Sequence, residues 1–518
     1  MASPQEKLAK SLDALREVQS DNGATAIKGR DLSRTDKDRL VASGFLKEVM
    51  KGWYIPARPD EQKGDSTAWY ASYWKFCTAY LNERFGKNWS LSPEQSLLVH
   101  SGNWTVPQQL VVRSPKARNN VTTLPHGTSL FDIRAVVPKS NERHEVDELR
   151  IFSLPTSLIL AAPIVFANNP TDCRIALSMI KDSSDILNKL LEGGHSVVAG
   201  RLAGAFRNVG MTRIADDIIN TMQRAGYSVR ENDPFTSKIK FTGTGRQTSP
   251  YVNRIKMMWQ TMRETVIAKF PQAPGRPKDI RAFLEDVQDS YLTDAYHSLS
   301  IEGYKVTPEL IDKVRSGNWN PEGNNIEKGE KNALAARGYY QAHQAVLKSL
   351  RKILKGKNAG EVVDDDHSTW YRELFEPSIR VGLIKASDLA GYRNGPVYIR
   401  GSMHVPLNRD AVRDAMPTLF DLIKEEQHPA VRVVLGHFIF VYIHPYMDGN
   451  GRIGRFLMNA MLSAGGYPWT IIPLSEREHY MEALEQASVN QDIEPFTLFI
   501  AKLVSSRLSG KPLPKIPI

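Results

Sequence analysis

The chain is expected to be multidomain and mainly α. An all-helical core with a β-hairpin flap follows a winged helix and a small α/β domain. Three observations lead there. At 518 residues the chain has room for three or four domains. Apolar residues recur at helical spacing through most of residues 251–518. Short runs of β-formers between turn residues are confined to residues 45–152, save one pair near residue 400.

Composition narrows the class. A hydrophobic share of 41% and a charged share of 24% are those of an ordinary globular protein. The two cysteines, Cys77 and Cys173, lack CxxC spacing, which speaks against a zinc site or disulfide scaffold and for a reducing compartment. The N-terminus MASPQEKLAKSLDALREVQ has no apolar signal core, and no uncharged apolar run is long enough to span a bilayer. A soluble, cytoplasmic protein with no membrane partner is expected. The net charge of +10 favours an acidic partner, either nucleic acid or an acidic protein.

Residues 1–60 read as the winged helix. Ser3 caps a helix whose Leu8, Leu12, Leu15 and Val18 share one face, ending near Asn22-Gly23. A short helix is expected over Ala26–Asp31, then one from Ser33 to Ser43 stopped by Gly44. Phe45–Val49 and Trp53–Pro56 form a hairpin around Met50-Lys51-Gly52. If this domain binds DNA, Arg34, Lys37 and Arg39 face the groove, and Lys47 and Lys51 touch phosphates. Asp36 and Asp38 on the same helix oppose that use.

Residues 61–240 read as the α/β domain. A helix is expected over Trp69–Phe85, and Ser92 caps another. Strands are expected at Gln109–Arg113, Leu130–Val137 and Leu149–Phe152, with helices at Leu154–Pro163 and Thr171–Leu191. His100, His126, His144 and His195 are scattered and form no constellation. Residues 229–250 are rich in Asn, Pro, Gly, Thr and Ser and read as a linker, with Gly243-Thr244-Gly245 as flexible loop.

The final domain, residues 251–518, is helical: 279–301, 330–354, 368–380, 410–425, 431–442, 453–462, 476–486 and 494–508. Its centre is His444-Pro445-Tyr446-Met447-Asp448-Gly449-Asn450-Gly451-Arg452, between two apolar helices, with Arg455 three residues on. Free N–H groups at a helix N-terminus, approached through Gly449-Asn450-Gly451, suit phosphate oxygens. Arg452 and Arg455 share a helix face and can grip successive phosphates. Asp448 is a hard oxygen ligand placed to hold Mg²⁺ against nucleotide phosphates, and His444 can take a proton from an incoming hydroxyl. A structural loop has no need of base, acid, cradle and paired guanidiniums together.

HPYMDGNGRIGR resembles the signature of the Fic family, HxFx(D/E)GNGRxxR, with Tyr446 at the usual Phe. The resemblance covers roughly residues 280–510, with a catalytic core near 375–490. It implies a Mg²⁺-dependent protein adenylyltransferase that passes AMP from ATP to a Ser, Thr or Tyr hydroxyl of a protein, itself included. His444 would be the base and Asp448 the metal ligand. Gly449, Asn450, Gly451, Arg452, Gly454 and Arg455 would form the ATP site, with Tyr480 near the adenine. Ser298, Glu302 and Gly303 resemble the family's inhibitory sequence (S/T)xxxE(G/N), so Glu302 would pair with Arg455 through both oxygens and misalign the α-phosphorus. This places the chain with the subgroup restrained by its own N-terminal side, the inhibitory helix lying at about 280–303. Alternating β-formers around Arg400-Gly401-Ser402 resemble the family's flap, with Val397, Tyr398, Ile399, Arg400 and Gly401 pairing with a target strand. The N-terminal part resembles abortive-infection antitoxin-type regulators, which implies DNA as a partner through residues 1–60. Transfer of another nucleoside monophosphate, removal of AMP using Glu302, and a DNA-binding regulator that senses nucleotide stay open as alternatives.

Overall fold

A computed structural model describes residues 3–22, 25–59, 61, 64–236, 249–317 and 331–517. Gly23 and the Gly243-Thr244-Gly245 loop lie outside the described residues. The chain divides into two compact units: residues 1–250 with Tyr398–Val405, and residues 251–397 with 406–518.

The first unit opens with helix Pro4–Asn22, whose Leu15 is buried beside Ile27 and Leu40. Residues 26–31, expected as a helix, supply strand β1 (Ile27–Lys28), because Ile27 and Lys28 pair antiparallel with Tyr54 and Trp53. Helix Arg34–Ala42 starts at Ser33, whose hydroxyl accepts from the Asp36 amide. Strands β2 (Leu46–Met50) and β3 (Trp53–Pro56) complete a sheet of order β1-β3-β2. Two helices, not three, therefore precede the hairpin. The cations of the second are engaged locally: Arg34 and Lys37 with Asp38, and Arg39 with Asp36.

Helix Thr67–Phe85 buries Trp69, Tyr73, Phe76, Leu81 and Phe85. A mixed sheet follows: β4 (Ser90–Leu91), β5 (Gln109–Ser114), β6 (Asn120–Thr123) and β7 (Ser129–Arg134), in the order β4-β5-β7-β6 with β5 and β7 parallel. The strand expected to reach Val137 ends at Arg134 with its pairing to Ser114. A hairpin of β8 (Arg143–Val146) and β9 (Leu149–Phe152) leads into helices. The helix expected over 171–191 is two, Pro170–Ser178 and Ser184–Gly193. Ser196–Asn208 and Thr212–Arg224 are helices that the sequence reading left unassigned.

Residues 395–406 were expected as a free hairpin and contain no strand ladder. The chain turns at Gly401 (φ +73°), with the Ser402 amide donating to Ile399 O at 3.1 Å. Tyr398–Val405 gets its bonds from the first unit instead. Arg400 Nε lies 3.1 Å from Asp65 Oδ2, and the Gly401 amide donates to Thr67 Oγ1 at 3.2 Å. The Val106 amide donates to Met403 O at 2.9 Å, and Met403 and Val405 pack on the aromatic core of that unit.

The second unit is helical, and its core surrounds two central helices. The first, Pro429–Ile443, is buried continuously from Val433 to Ile443. The second, Asn450–Ala464, is buried from Arg452 to Ser463. Helix Pro250–Lys269 is fastened to this core by Arg254 Nε donating to Tyr442 Oη at 2.7 Å. Arg263 adds a two-pronged bond to the Glu426 carboxylate, at 2.8 and 3.0 Å. The helix expected over 279–301 breaks at Ser290 into Ile280–Asp289 and Tyr291–Ile301. Lys331–Leu354, Ala359–Arg380, Arg409–Glu425, Arg477–Val489 and Glu494–Leu508 complete the principal helices. No helix among the described residues is long and apolar enough to cross a membrane.

Candidate active site

The site is built on the turn joining the two central helices. Helix Pro429–Ile443 ends at His444, which takes the left-handed conformation (φ 55°, ψ 60°) as its C-cap. That geometry is unusual for a non-glycine residue and aims the imidazole out of the helix line. Arg393, buried and unremarked in the sequence, holds the turn from outside. Its Nε donates to His444 O at 2.7 Å, its Nη1 to Gly395 O at 3.0 Å, and its amide to Pro445 O at 2.9 Å. Its Nη2 also donates to Leu407 O.

The turn is closed from inside by Asn450. Its Oδ1 accepts from the Tyr446 amide and its Nδ2 donates to Tyr446 O, both at 2.8 Å. The Asn450 side chain is therefore spent on loop shape, and its backbone amide stays at the helix N-terminus. Tyr446 anchors the loop as Phe would, stacked on Tyr371 with ring centroids 3.7 Å apart. Its buried hydroxyl has no hydrogen-bond partner among the described residues. Gly449 (φ 83°) then turns the chain into the next helix, whose first-turn N–H groups have no intrahelical acceptor.

The half-buried His444 imidazole donates from Nδ1 to Val441 O at 3.1 Å, which leaves the Nε2 lone pair as a base. Burial is the main cause that pushes its pKa down to about 4, and the Arg393 charge adds to the shift. The ring is thus neutral at physiological pH. Asp448 has a side chain 62% exposed and accepts from the Gly449 amide at 2.6 Å.

Both arginines are buried, at 1% and 4% exposure for Arg452 and Arg455. Arg455 is clamped by the end of helix Tyr291–Ile301. Its Nε donates to Ser298 Oγ at 2.9 Å, and its Nη2 to Ser298 O at 3.0 Å and to Glu302 Oε1 at 2.7 Å. Glu302 therefore makes one bond to this guanidinium, not the expected pair, since Ser298 holds Nε and shares Nη2. Arg455 Nη1 has no partner among the described residues, and neither does Arg452 Nε. Arg452 Nη2 lies 3.2 Å from Asp448 Oδ1 but outside hydrogen-bond geometry. A Cβ at Gly451 would collide with Glu302 Oε1, so this carboxylate rests directly on the cradle.

Two residues expected at the nucleotide do other work. Gly454 lets the central helices approach: a Cβ there would press on Val441 and His437, and its carbonyl accepts from His437 Nδ1 at 2.7 Å. Tyr480 is 1% exposed, and its hydroxyl donates to His437 Nε2 at 2.8 Å. It lies on the core face of its helix, packed on Phe496 and Phe499. His437, neutral with a pKa lowered by burial to about 4, joins both residues and was missed because a lone His in an apolar run carries no signal. Val397 belongs to the second unit, and Tyr398, Ile399, Arg400 and Gly401 belong to the first.

The profile of the Fic/DOC family matches residues 364–462. The chain is 30% identical over 254 residues to the protein adenylyltransferase Fic of Nematostella vectensis, covering 48% of this chain and 55% of that one. It is 30% identical over 226 residues to the protein of the same name from Drosophila willistoni, covering 43% and 41%. The chain thus spans about half the length of these curated relatives. Among solved structures, Fic-1 of C. elegans (residues 134–508) is 17% identical, covering 69% of this chain and 90% of that one at a TM-score of 0.37. Residues 364–462 are thus similar to the Fic/DOC family, and the match does not extend to the rest of the chain.

Proposed function

We propose that the second unit is a protein adenylyltransferase restrained in cis by Glu302. The reading rests on one arrangement: an imidazole with its Nε2 lone pair open, next to a helix N-terminus flanked by two buried guanidiniums that keep unpartnered N–H groups. Triphosphate oxygens satisfy those donors and neutralise both buried charges. The name shared by the relatives supports the same chemistry.

In this scheme His444 Nε2 takes the proton of a Ser, Thr or Tyr hydroxyl of a target protein. The freed oxygen attacks the α-phosphorus of ATP, the bond to the β-phosphate oxygen breaks, and pyrophosphate leaves. First-turn amides at Asn450 and Gly451 hold the inner phosphates, Arg452 the β-phosphate and Arg455 the γ-phosphate. Asp448, a carboxylate 62% exposed beside the cradle, would hold Mg²⁺, an ion that takes most of its ligands from phosphate and water. When bound, the ion supplies charge neutralisation for the leaving pyrophosphate. Glu302 counters the site by occupying Arg455 and the floor of the cradle at Gly451. Two buried free cysteines agree with a cytoplasmic setting.

The test uses the full chain, α-labelled ATP and Mg²⁺. His444→Ala should reduce label transfer at least about a hundredfold and leave ATP binding within roughly threefold. Glu302→Gly should raise self-labelling at least about tenfold, and no gain defeats the restraint. Running each nucleoside triphosphate in parallel decides the nucleotide. Removal of AMP is the second reading, because Glu302 rests where a water could be oriented. Release of AMP from a labelled protein by the unaltered chain, lost in Glu302→Gly, would decide for it.

A further inference from the structure

Glu302 is the C-cap of helix Tyr291–Ile301, and Gly303 (φ +88°) reverses the chain, so that the Tyr304 amide donates to Leu299 O at 3.1 Å. This turn puts the Tyr304 ring against Arg452, with the guanidinium carbon 5.2 Å from the ring centroid. Phe375, on helix Ala359–Arg380, meets the same guanidinium at 5.2 Å. Lys331 adds a second cation over the Tyr304 ring, at 5.8 Å.

The two arginines are thus held in different ways. Arg455 gives hydrogen-bond donors to Ser298 and Glu302. Arg452 is buried against two aromatic rings, which attract the cation while its Nε and Nη2 stay without acceptors among the described residues. Its Nε keeps no acceptor among the described residues, and its nearest carboxylate, Asp448, is out of hydrogen-bond line. A buried guanidinium steadied by rings and still holding open donors is preorganised for an anion.

Resting on the nucleotide reading above, we infer that Tyr304 is a positioning residue for Arg452, which with Phe375 sets this guanidinium to receive the outer phosphates of a nucleoside triphosphate. The segment 302–304 then carries opposite actions two residues apart. Glu302 withholds Arg455, and Tyr304 presents Arg452. Removing the first relieves the site, and removing the second weakens it.

The experiment uses the full-length Glu302→Gly chain as parent and compares binding of ATP and AMP by calorimetry, with KM and kcat for label transfer. Adding Tyr304→Leu should weaken ATP binding roughly tenfold and raise KM for ATP in step, while AMP affinity and kcat stay within about twofold. Tyr304→Phe, which keeps the ring, should remain within about twofold for both nucleotides. Phe375→Leu should repeat the ATP-selective loss through the other ring. Unchanged ATP affinity in Tyr304→Leu overturns the inference. An equal loss of AMP and ATP also overturns it, since the cradle itself would then have failed. A Tyr304→Phe chain as weak as Tyr304→Leu assigns the effect to the hydroxyl and overturns the role of the ring. A parent that binds neither nucleotide refutes the proposed function and this inference with it.

Discussion

The turn Pro445–Gly451 and the segment Gly395–Pro406 are short, irregular, and both singled out by sequence, yet they are built in opposite ways. The turn closes its centre with its own bonds, and Arg393 braces only its entry at His444 and Pro445. Asn450 returns both ends of its amide to Tyr446, and the flanking helices start and stop within a few residues. The second segment has short-range bonds at Gly395, Ile399 and Ser402, and its other anchors come from residues hundreds of positions away, Asp65, Thr67 and Val106. Where a loop closes its own hydrogen bonds, its shape can be read from its residues. A loop that borrows partners takes whatever form they impose.

The sharpest way to break that contrast is Asn450→Ala. It strands two buried backbone groups of Tyr446, so it should lower the free energy of unfolding by about 2–4 kcal/mol in a denaturant titration and weaken ATP binding roughly a hundredfold. A cost under about 1 kcal/mol would mean that the turn is held by its surroundings after all.

The acid limb of label transfer comes next. With the pKa of His444 pushed down to about 4, the neutral base persists as pH falls through 6.5. In Glu302→Gly, kcat/KM should therefore stay flat from pH 8 to about 5.5 and fall below, with an apparent midpoint about two units under that of free histidine. A midpoint near 6.5 would show an imidazole bathed in water.

Smaller effects refine the comparison. Tyr446→Phe removes a buried hydroxyl with no partner, so stability should rise by about 0.5–1 kcal/mol with transfer unchanged. A loss would reveal a hidden acceptor. Arg400→Ala breaks an ion pair whose arginine is 61% exposed, and should cost less than about 0.5 kcal/mol. A larger cost would make that pair a principal anchor of the segment.

Much of the second unit was legible because its signals are local. Helical period, caps and the compressed motif located the central helices within two or three residues, and His444, Asp448, Arg452 and Arg455 with them. The first unit was less readable. Ile27 is a strand residue only because Tyr54 pairs with it, and the Ala- and Gly-rich helix Ser196–Asn208 has too few bulky positions to show a stripe. Motif membership does not say which way a residue faces, and only the packing shows Gly454 and Tyr480 meeting His437.

Sequence alone settled that a base, an acidic ligand, a glycine cradle and two guanidiniums lie within a dozen residues, because covalent neighbours on a turn and a helix cannot be far apart. Tertiary structure alone decided what each could do. It put Ser298 and Glu302 on Arg455, Tyr304 and Phe375 on Arg452, and Arg393 behind His444. Those contacts join residues 51 to 157 positions apart, and packing, not local spacing, determines which of them meet.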